Sequence, residues 1–505
     1  MVFMKTTARI ITLLLALMMV VTCFIGCKGD ENTDDPSVTT TTAGGAGGEG
    51  GEGGDVTTEY VSKLPQDKKF EGEPYQFNIL GVDGGTHQQF TTIEIARDTL
   101  TGNVVGDAVY YRNEELKAKH NFEVKQTLST SVVTVAQNLY LGGEHLYDVV
   151  DYYTVNLIKH AQEGYLLDLN TVPYIDFLHP AWDDTANAEL TINGKTYLAH
   201  SDFNLQSKAR TYFMMYNREL FHTHEEYQGV YIEDMVDDNT WTVQKFYEIA
   251  SNEFAADLDG GGKGGLLDQW ALCADGHNVM ACFAYGAGYR LSRNNNGVIE
   301  LVGVDERTTD ILNLCTKATL DPMLTLTSSS GLPGITDRTG IDTFEEGRSL
   351  FLSDLPSSFD IGLNLDFEYG ILPYPKYDDQ QGNYYTKFNW SAAAICAIPY
   401  TAVDTETIGF CLEALVEAST DTSLDAYYEQ KCKLHNSYDA RCAEMLDLLY
   451  ANVVYDIGAI LNIGTLDSAL QSQMPGYYPN CPWKRFYDKS AEAAQTAIDE
   501  IMLSY

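Results

Sequence analysis

Tyr75-Gln76-Phe77-Asn78-Ile79-Leu80, the run from Asp107 to Lys119, and Phe122 to Leu128 read in succession as strand, amphipathic helix and strand. Tyr147-Asp148-Val149-Val150-Asp151 is a further buried strand, and it leads into a helix around Val155 to Glu163. Strands separated by helices pair by crossover, which sets them parallel. The predicted class is therefore α/β, with a largely parallel sheet. Working outward, Thr196-Tyr197-Leu198-Ala199, Tyr212 to Tyr216 and Tyr369 to Pro373 read as strands, and Thr242 to Glu253 as a helix capped by Thr240 or Thr242. The end of the chain is helical: Ile408 to Ala418, Cys442 to Tyr455, and a last segment in which Ala493, Ala494, Ala497, Ile498 and Ile501 recur at helical spacing.

Length and charge narrow the function. A chain of 505 residues exceeds what one core organises, so two lobes are expected. With 44% hydrophobic and 11% aromatic residues, disorder throughout is excluded. Against 32 Lys and Arg stand 72 Asp and Glu, a net charge of −40 that repels phosphate backbones and disfavours nucleic acid as a partner.

The N-terminus has the layout of an export signal: Lys5 and Arg9 precede an apolar run from Ile10 to Ile25. It closes on Phe24-Ile25-Gly26-Cys27, which resembles the lipobox of bacterial lipoproteins, where the Cys is diacylated and becomes the mature N-terminus. Phe24 departs from the Leu usual at that position. An uncleaved single-span anchor with an incidental Cys is the alternative. Residues 27–66, rich in Gly, Thr, Asp and Glu, bury too little apolar area to fold and read as an acidic tether. Eight further cysteines, Cys273, Cys282, Cys315, Cys396, Cys411, Cys432, Cys442 and Cys481, are irregularly spaced without a Cys-x-x-Cys pair, so a zinc site is poorly supported. Some pairing, with Cys432–Cys442 favoured, and buried free thiols stand as equal readings.

Several stretches, taken in order, carry a family resemblance: Gly106 to Asn113 with Lys119 to Val124; Tyr147 to Asp151 with Gly164 to Leu169; Asn193 to Tyr197, Met215 to Phe221 and Thr240-Trp241-Thr242; then Phe344 to Arg348, Gly370 to Tyr377, Ala443 to Asp447 and Val454 to Asp456. From about residue 67 to the C-terminus the chain resembles the extracellular solute-binding proteins of ABC importers, of the maltose-binding type, in the divergent lipoprotein branch common in clostridia. The resemblance implies a two-lobe, periplasmic-binding-protein-like (type II) fold whose lobes close on ligand like a hinged clamp. It gives 1–26 as signal peptide, 67–195 and 371–435 as lobe I, and 196–370 and 436–505 as lobe II, with crossings near 195–202, 371–388 and 430–440. It also implies a monomer held at the outer face of the cell membrane by lipid on Cys27 alone, which hands a saccharide or other small solute to a membrane permease, without cofactor or catalysis.

A sugar ring offers apolar C–H faces and a rim of hydroxyls, so its site needs aromatics to stack and carboxylates or amides to bond. Where the family places its cleft, the chain supplies Asp151, Tyr152, Tyr153, Asp202, Phe283, Tyr285, Asn389 and Trp390. Each is equally readable as core with its polar tip bonded. Asp257 to Lys263 with Asp268 resembles half of a calcium loop, but Gly261 stands where an oxygen ligand belongs, and a Gly-rich turn is preferred. His222 and His224 beside Glu225 and Glu226 lack a His-Glu-x-x-His helix and are expected on a solvated face. No metal is assigned. The alternatives are a secreted glycoside hydrolase, for which 72 acids make candidate pairs uninformative, and a surface adhesin, for which repeats or short-strand sandwiches are wanting.

Overall fold

Nine strands of the computed structural model form its two larger sheets: β1 (Tyr75–Val82), β2 (Phe122–Ser129), β3 (Val149–Tyr153), β4 (Phe213–Asn217), β5 (Trp270–Ala274), β6 (Thr325–Thr327), β7 (Ser349–Asp354), β8 (Tyr369–Leu372) and β9 (Ala394–Ala397). The structure describes residues 60–505 except 86–90, 94, 252–253, 275, 277, 357–364, 392 and 433–438, with only the backbone at 429–432. The N-terminal apolar run, Cys23, Cys27 and the tether to Glu59 lie outside the described residues.

In the first sheet β2, β1 and β3 are parallel, and β9 lies antiparallel on β3. The predicted helix between β1 and β2 is Val104–His120. The Asn103 side chain accepts from Gly106 N at its start, and left-handed Asn121 ends it behind Lys117, Lys119 and His120. Alternation along β1 feeds two cores: Phe77 and Ile79 join Phe122, Val149 and Phe410, while Leu80 and Val82 join Val150, Tyr152 and Leu157.

The second sheet runs β8-β4-β7-β5-β6, with β7, β5 and β6 parallel and β4 antiparallel to both its neighbours. Its apolar body gathers Trp241, Phe246, Leu272, Phe283 and Phe351.

Two connectors join the sheets, and they pair with each other. Thr211 bridges Phe388 antiparallel, Tyr212 N donates to Lys387 O at 3.0 Å, and Asn389 N to Arg210 O at 2.9 Å. Val453–Val454 adds to Thr386–Lys387 on the other side. The first connector runs from Ala199, bridged to Cys396 in the first sheet, to β4. Thr196 to Ala199, expected as a strand, contributes only that bridge, because Leu169 N takes the Thr196 carbonyl and Asp168 the Thr196 N–H. The second connector leaves β8 and rejoins the first sheet at β9. A lobe boundary at 371 therefore falls inside a strand of the second sheet, and 373–393 is the crossing. The helix Asp425–Cys432 packs on Val104–His120 and the helix Ala440–Tyr450 on β8, and most of the crossing expected near 430–440 lies outside the described residues. That last helix stops five residues short of the expected Tyr455, since Val453 and Val454 pair as strand.

Cys442 is a free, buried thiol, so no Cys432–Cys442 bridge is present, and the Cys432 side chain lies outside the described residues. No helix among the described residues is long and apolar enough to cross a membrane.

Candidate functional site

Both connectors meet the sheets where the parallel strands finish. Phe213 is in register with Asp354, the last residue of β7, and Ala394 with Tyr153, the last residue of β3. The carboxyl ends of β1 and β3 and those of β5 and β7 thus open at the paired connectors. Ligands of open α/β sheets bind outside such ends.

Arg210, just before β4, is the charge at the centre of this region. Its guanidinium is coupled to Tyr153 and Tyr427 of the first lobe and to Tyr212 and Asp354 of the second; burial draws its pKa down to about 10, and those neighbours oppose the change. Lys387 on the other connector points its ammonium over Trp390 at 4.2 Å and Tyr212 at 5.2 Å, and donates to Asn278 Oδ1 at 3.5 Å. Asn278 follows β5 and begins the helix Val279–Gly286. Asn389 Nδ2 donates to the Tyr212 hydroxyl at 3.3 Å. The region offers phenol, amide and cationic donors beside aromatic faces, and such a set can grip hydroxyls.

Of the residues expected at the site, Tyr153 and Asn389 stand here, both half-buried. Trp390 and Tyr285 adjoin them edge to face at 5.8 Å, but both are buried, and the Tyr285 hydroxyl donates to Asp456 at 3.3 Å. Asp202 is half-buried and accepts from Thr420 Oγ1 at 2.7 Å. Two residues are core. Tyr152 is enclosed with Tyr140 and His160, and the Phe283 ring lies 4.7 Å from Phe246 and 5.4 Å from Tyr374. The last site residue of β3 that faces inward, Asp151, is fully enclosed. Asn204 Nδ2 donates to its Oδ2 at 3.2 Å, while Oδ1 is buried without a partner.

Sequence reasoning missed Arg210, Tyr212, Asn278, Asp354 and Lys387. Tyr212 was expected only as the start of a strand, and nothing local marks Arg210, Asn278, Asp354 or Lys387, which come together only where the two connectors pair.

Burial pushes the Asp151 carboxyl up to about 7, with Asn204 working against the shift. Between pH 4 and 7 the native state keeps a proton that the unfolded state has lost, so stability falls as pH rises through that window. Asp151→Asn, neutral throughout, is expected to exceed the parent by roughly 2–4 kcal/mol in unfolding free energy at pH 8 and to match it at pH 4. Urea unfolding at the two pH values checks this, and a difference independent of pH would contradict it.

Away from the connectors, Asp257, Asp259 and Asp268 bring carboxylate oxygens within 4.8 Å of one another. Those oxygens accept from Gly260, Gly262, Gly261, Leu258 and Gly265 N–H groups, as a Gly-rich turn requires. His222 and His224 are half-buried rather than on a solvated face. His222 Nε2 lies 2.8 Å from Val230 O, and the His224 ring packs on Tyr227 and Phe254.

No protein-family model matches the sequence, and no curated protein matches it. Among solved structures the chain is similar to the ABC substrate-binding protein Lmo0181 of Listeria monocytogenes in complex with cycloalternan, with a TM-score of 0.50 and 14% identity over 84% of this chain and 99% of that one. The GacH receptor of Streptomyces glaucescens, solved unliganded and with acarbose and an acarbose homolog, gives a TM-score of 0.49 and 15% identity over 86% and 100%. The first likeness shows the fold: the described body is a two-lobe α/β structure of the periplasmic-binding-protein type.

Proposed function

We propose that the chain is a solute-binding protein that captures a saccharide between its lobes, without chemistry, for delivery to the permease of an ABC importer. The observation that carries this reading is the opening of both sets of strand ends at one pair of connectors, where Tyr153, Arg210, Tyr212, Asn278 and Asn389 converge. The fold is supported by the likeness to an ABC substrate-binding protein solved in complex with cycloalternan. Closure requires the ligand to favour the closed state over the open one, and donors drawn from both lobes supply that difference. The sequence resemblance supports the same assignment. Under it residues 1–26 are removed on export, Cys27 carries the lipid, and the stretch up to residue 59 holds the body off the outer face of the membrane. Residues 60–66, expected as tether, belong to the body, since Leu64 is buried in its core and Ser62 Oγ donates to Glu417 Oε1 at 2.6 Å.

Tyr153 is the half-buried aromatic at the end of β3, available to stack on a sugar face. Tyr153→Ala is expected to weaken oligosaccharide binding by about tenfold to a hundredfold. Calorimetry on the parent and the variant tests this. Unchanged affinity in a folded variant would move the site away from the connectors.

A further inference from the structure

Where the connector ribbon ends at Val453–Val454, a cavity of about 400 Å³ opens. Tyr385 and Asn452 wall it, with the helix Asp184–Leu190 and the segment that follows the helix Val279–Gly286. Two opposite charges face it unpaired. Glu189, on the first helix, forms no ion pair among the described residues, and neither does Arg290; both are half-buried and accessible from the cavity. Arg290 uses only Nη1 on the protein, donating to Tyr289 O at 2.6 Å and Tyr285 O at 3.2 Å, while its guanidinium lies over the Tyr385 ring at 4.4 Å. Its Nε and Nη2 donors stay open. Burial and then the nearby Asp456 carboxylate push the Glu189 carboxyl up to about 7, against Arg290 and the Asn294 N–H.

The two groups are held in place. Asn294 Nδ2 donates to the carbonyls of Ala188, Glu189 and Thr191 at 3.3, 2.8 and 2.8 Å, fastening the helix end that carries Glu189 to the hairpin after Arg290. Asp456 is already bonded by Leu291, Ser292, Ala459 and Tyr285, so Glu189 is the carboxylate left to take a donor from an occupant.

We infer that this cavity is a second binding site, for a small zwitterion of amino-acid or dipeptide size, whose carboxylate takes the open Arg290 donors and whose ammonium takes Glu189. A neutral sugar would compensate neither charge. A simple anion would meet Glu189 and Asp456, and a simple cation would meet Arg290 and the exposed Arg293. Opposite charges on one molecule answer both, and a guanidinium fork suits a carboxylate. The volume stands at the low end of the roughly 300–1,000 Å³ of small-molecule sites. None of Tyr153, Arg210, Tyr212, Asn278 and Asn389 lines the cavity, so the inference holds whether or not the lobes capture an oligosaccharide.

Calorimetry of the full chain with glycine, serine, glutamate, lysine and glycylglycine tests it, with the N-acetylated and C-amidated form of each as probes lacking one charge. The expected result is saturable one-to-one binding of at least one zwitterion, weakened about tenfold or more when either charge is blocked. Glu189→Gln should weaken it by a similar factor and leave the N-acetylated form unaffected, and Tyr153→Ala should change nothing. Ionised Glu189 is the form that holds an ammonium, so amino-acid affinity should rise about tenfold between pH 6 and 8. The groups around Glu189 are Asp456, Arg290, Arg293, Tyr385 and Tyr455, with the Asp183–His200 pair ahead of its helix. The rise should therefore vanish in Glu189→Gln, and a rise that persists there overturns the inference. So does the failure of every zwitterion to bind, or binding that falls with Tyr153→Ala and is untouched by Glu189→Gln.

Discussion

Trp390→Ala is expected to lower the unfolding free energy by about 3–5 kcal/mol. The indole is 1 % exposed. Tyr285 meets it edge to face at 5.8 Å, the Lys387 ammonium lies 4.2 Å over its ring, and its N–H serves the buried Asp467 carboxyl. Truncation leaves a large cavity, takes the π face from a buried cation, and removes a donor from a buried acid. Denaturant unfolding with an unchanged m-value reads the loss. Had the indole been a ligand platform, as the sequence expectation placed it, the variant would keep its midpoint and lose only affinity. Trp390→Phe, which retains most of the packing, is expected to lose less than half as much.

A loss of similar size, about 3–5 kcal/mol, is expected for Asp456→Ala. The carboxylate is 2 % exposed, and it accepts from Leu291 N at 2.6 Å, Ser292 N at 3.1 Å, Ser292 Oγ at 2.7 Å, Ala459 N at 3.2 Å and Tyr285 OH at 3.3 Å. It ties the helix Ile457–Ile460 to the segment after the helix Val279–Gly286 and anchors the tyrosine that braces Trp390. Alanine leaves these donors buried and unmatched. Asp456→Asn keeps an acceptor and should recover a substantial part of the loss, and equal losses for the two would contradict this account.

The parallel half of the fold was legible where strands carry a local signature. β1, the helix after it and β2 fall within a few residues of their expected bounds, because alternation, capping and charge at the helix ends act within a few residues of chain. β5 and β7 were not legible. Trp270-Ala271-Leu272-Cys273-Ala274 and Ser349-Leu350-Phe351-Leu352-Ser353-Asp354 are buried at every position, so no polar face marks their period. β9 has the same character and pairs with β3, more than 200 residues earlier. Of the residues the sequence named for a site, Tyr153 and Asn389 lie half-buried at the connectors. The sequence could not separate them from Tyr152 and Phe283, since whether an aromatic faces a core or a cleft is decided by register, and one residue of slip reverses it. Arg210 and Lys387 become significant only once the two connectors are seen to pair.

Titration of the full chain with linear and cyclic neutral oligosaccharides, with small-angle scattering for compactness and mass spectrometry of the recovered ligand, tests the central claim most directly. The account predicts saturable binding, a smaller radius of gyration as the lobes close, and ligand returned intact. Shortened oligosaccharides would make the chain an enzyme, and the failure of every oligosaccharide to bind would contradict the proposal.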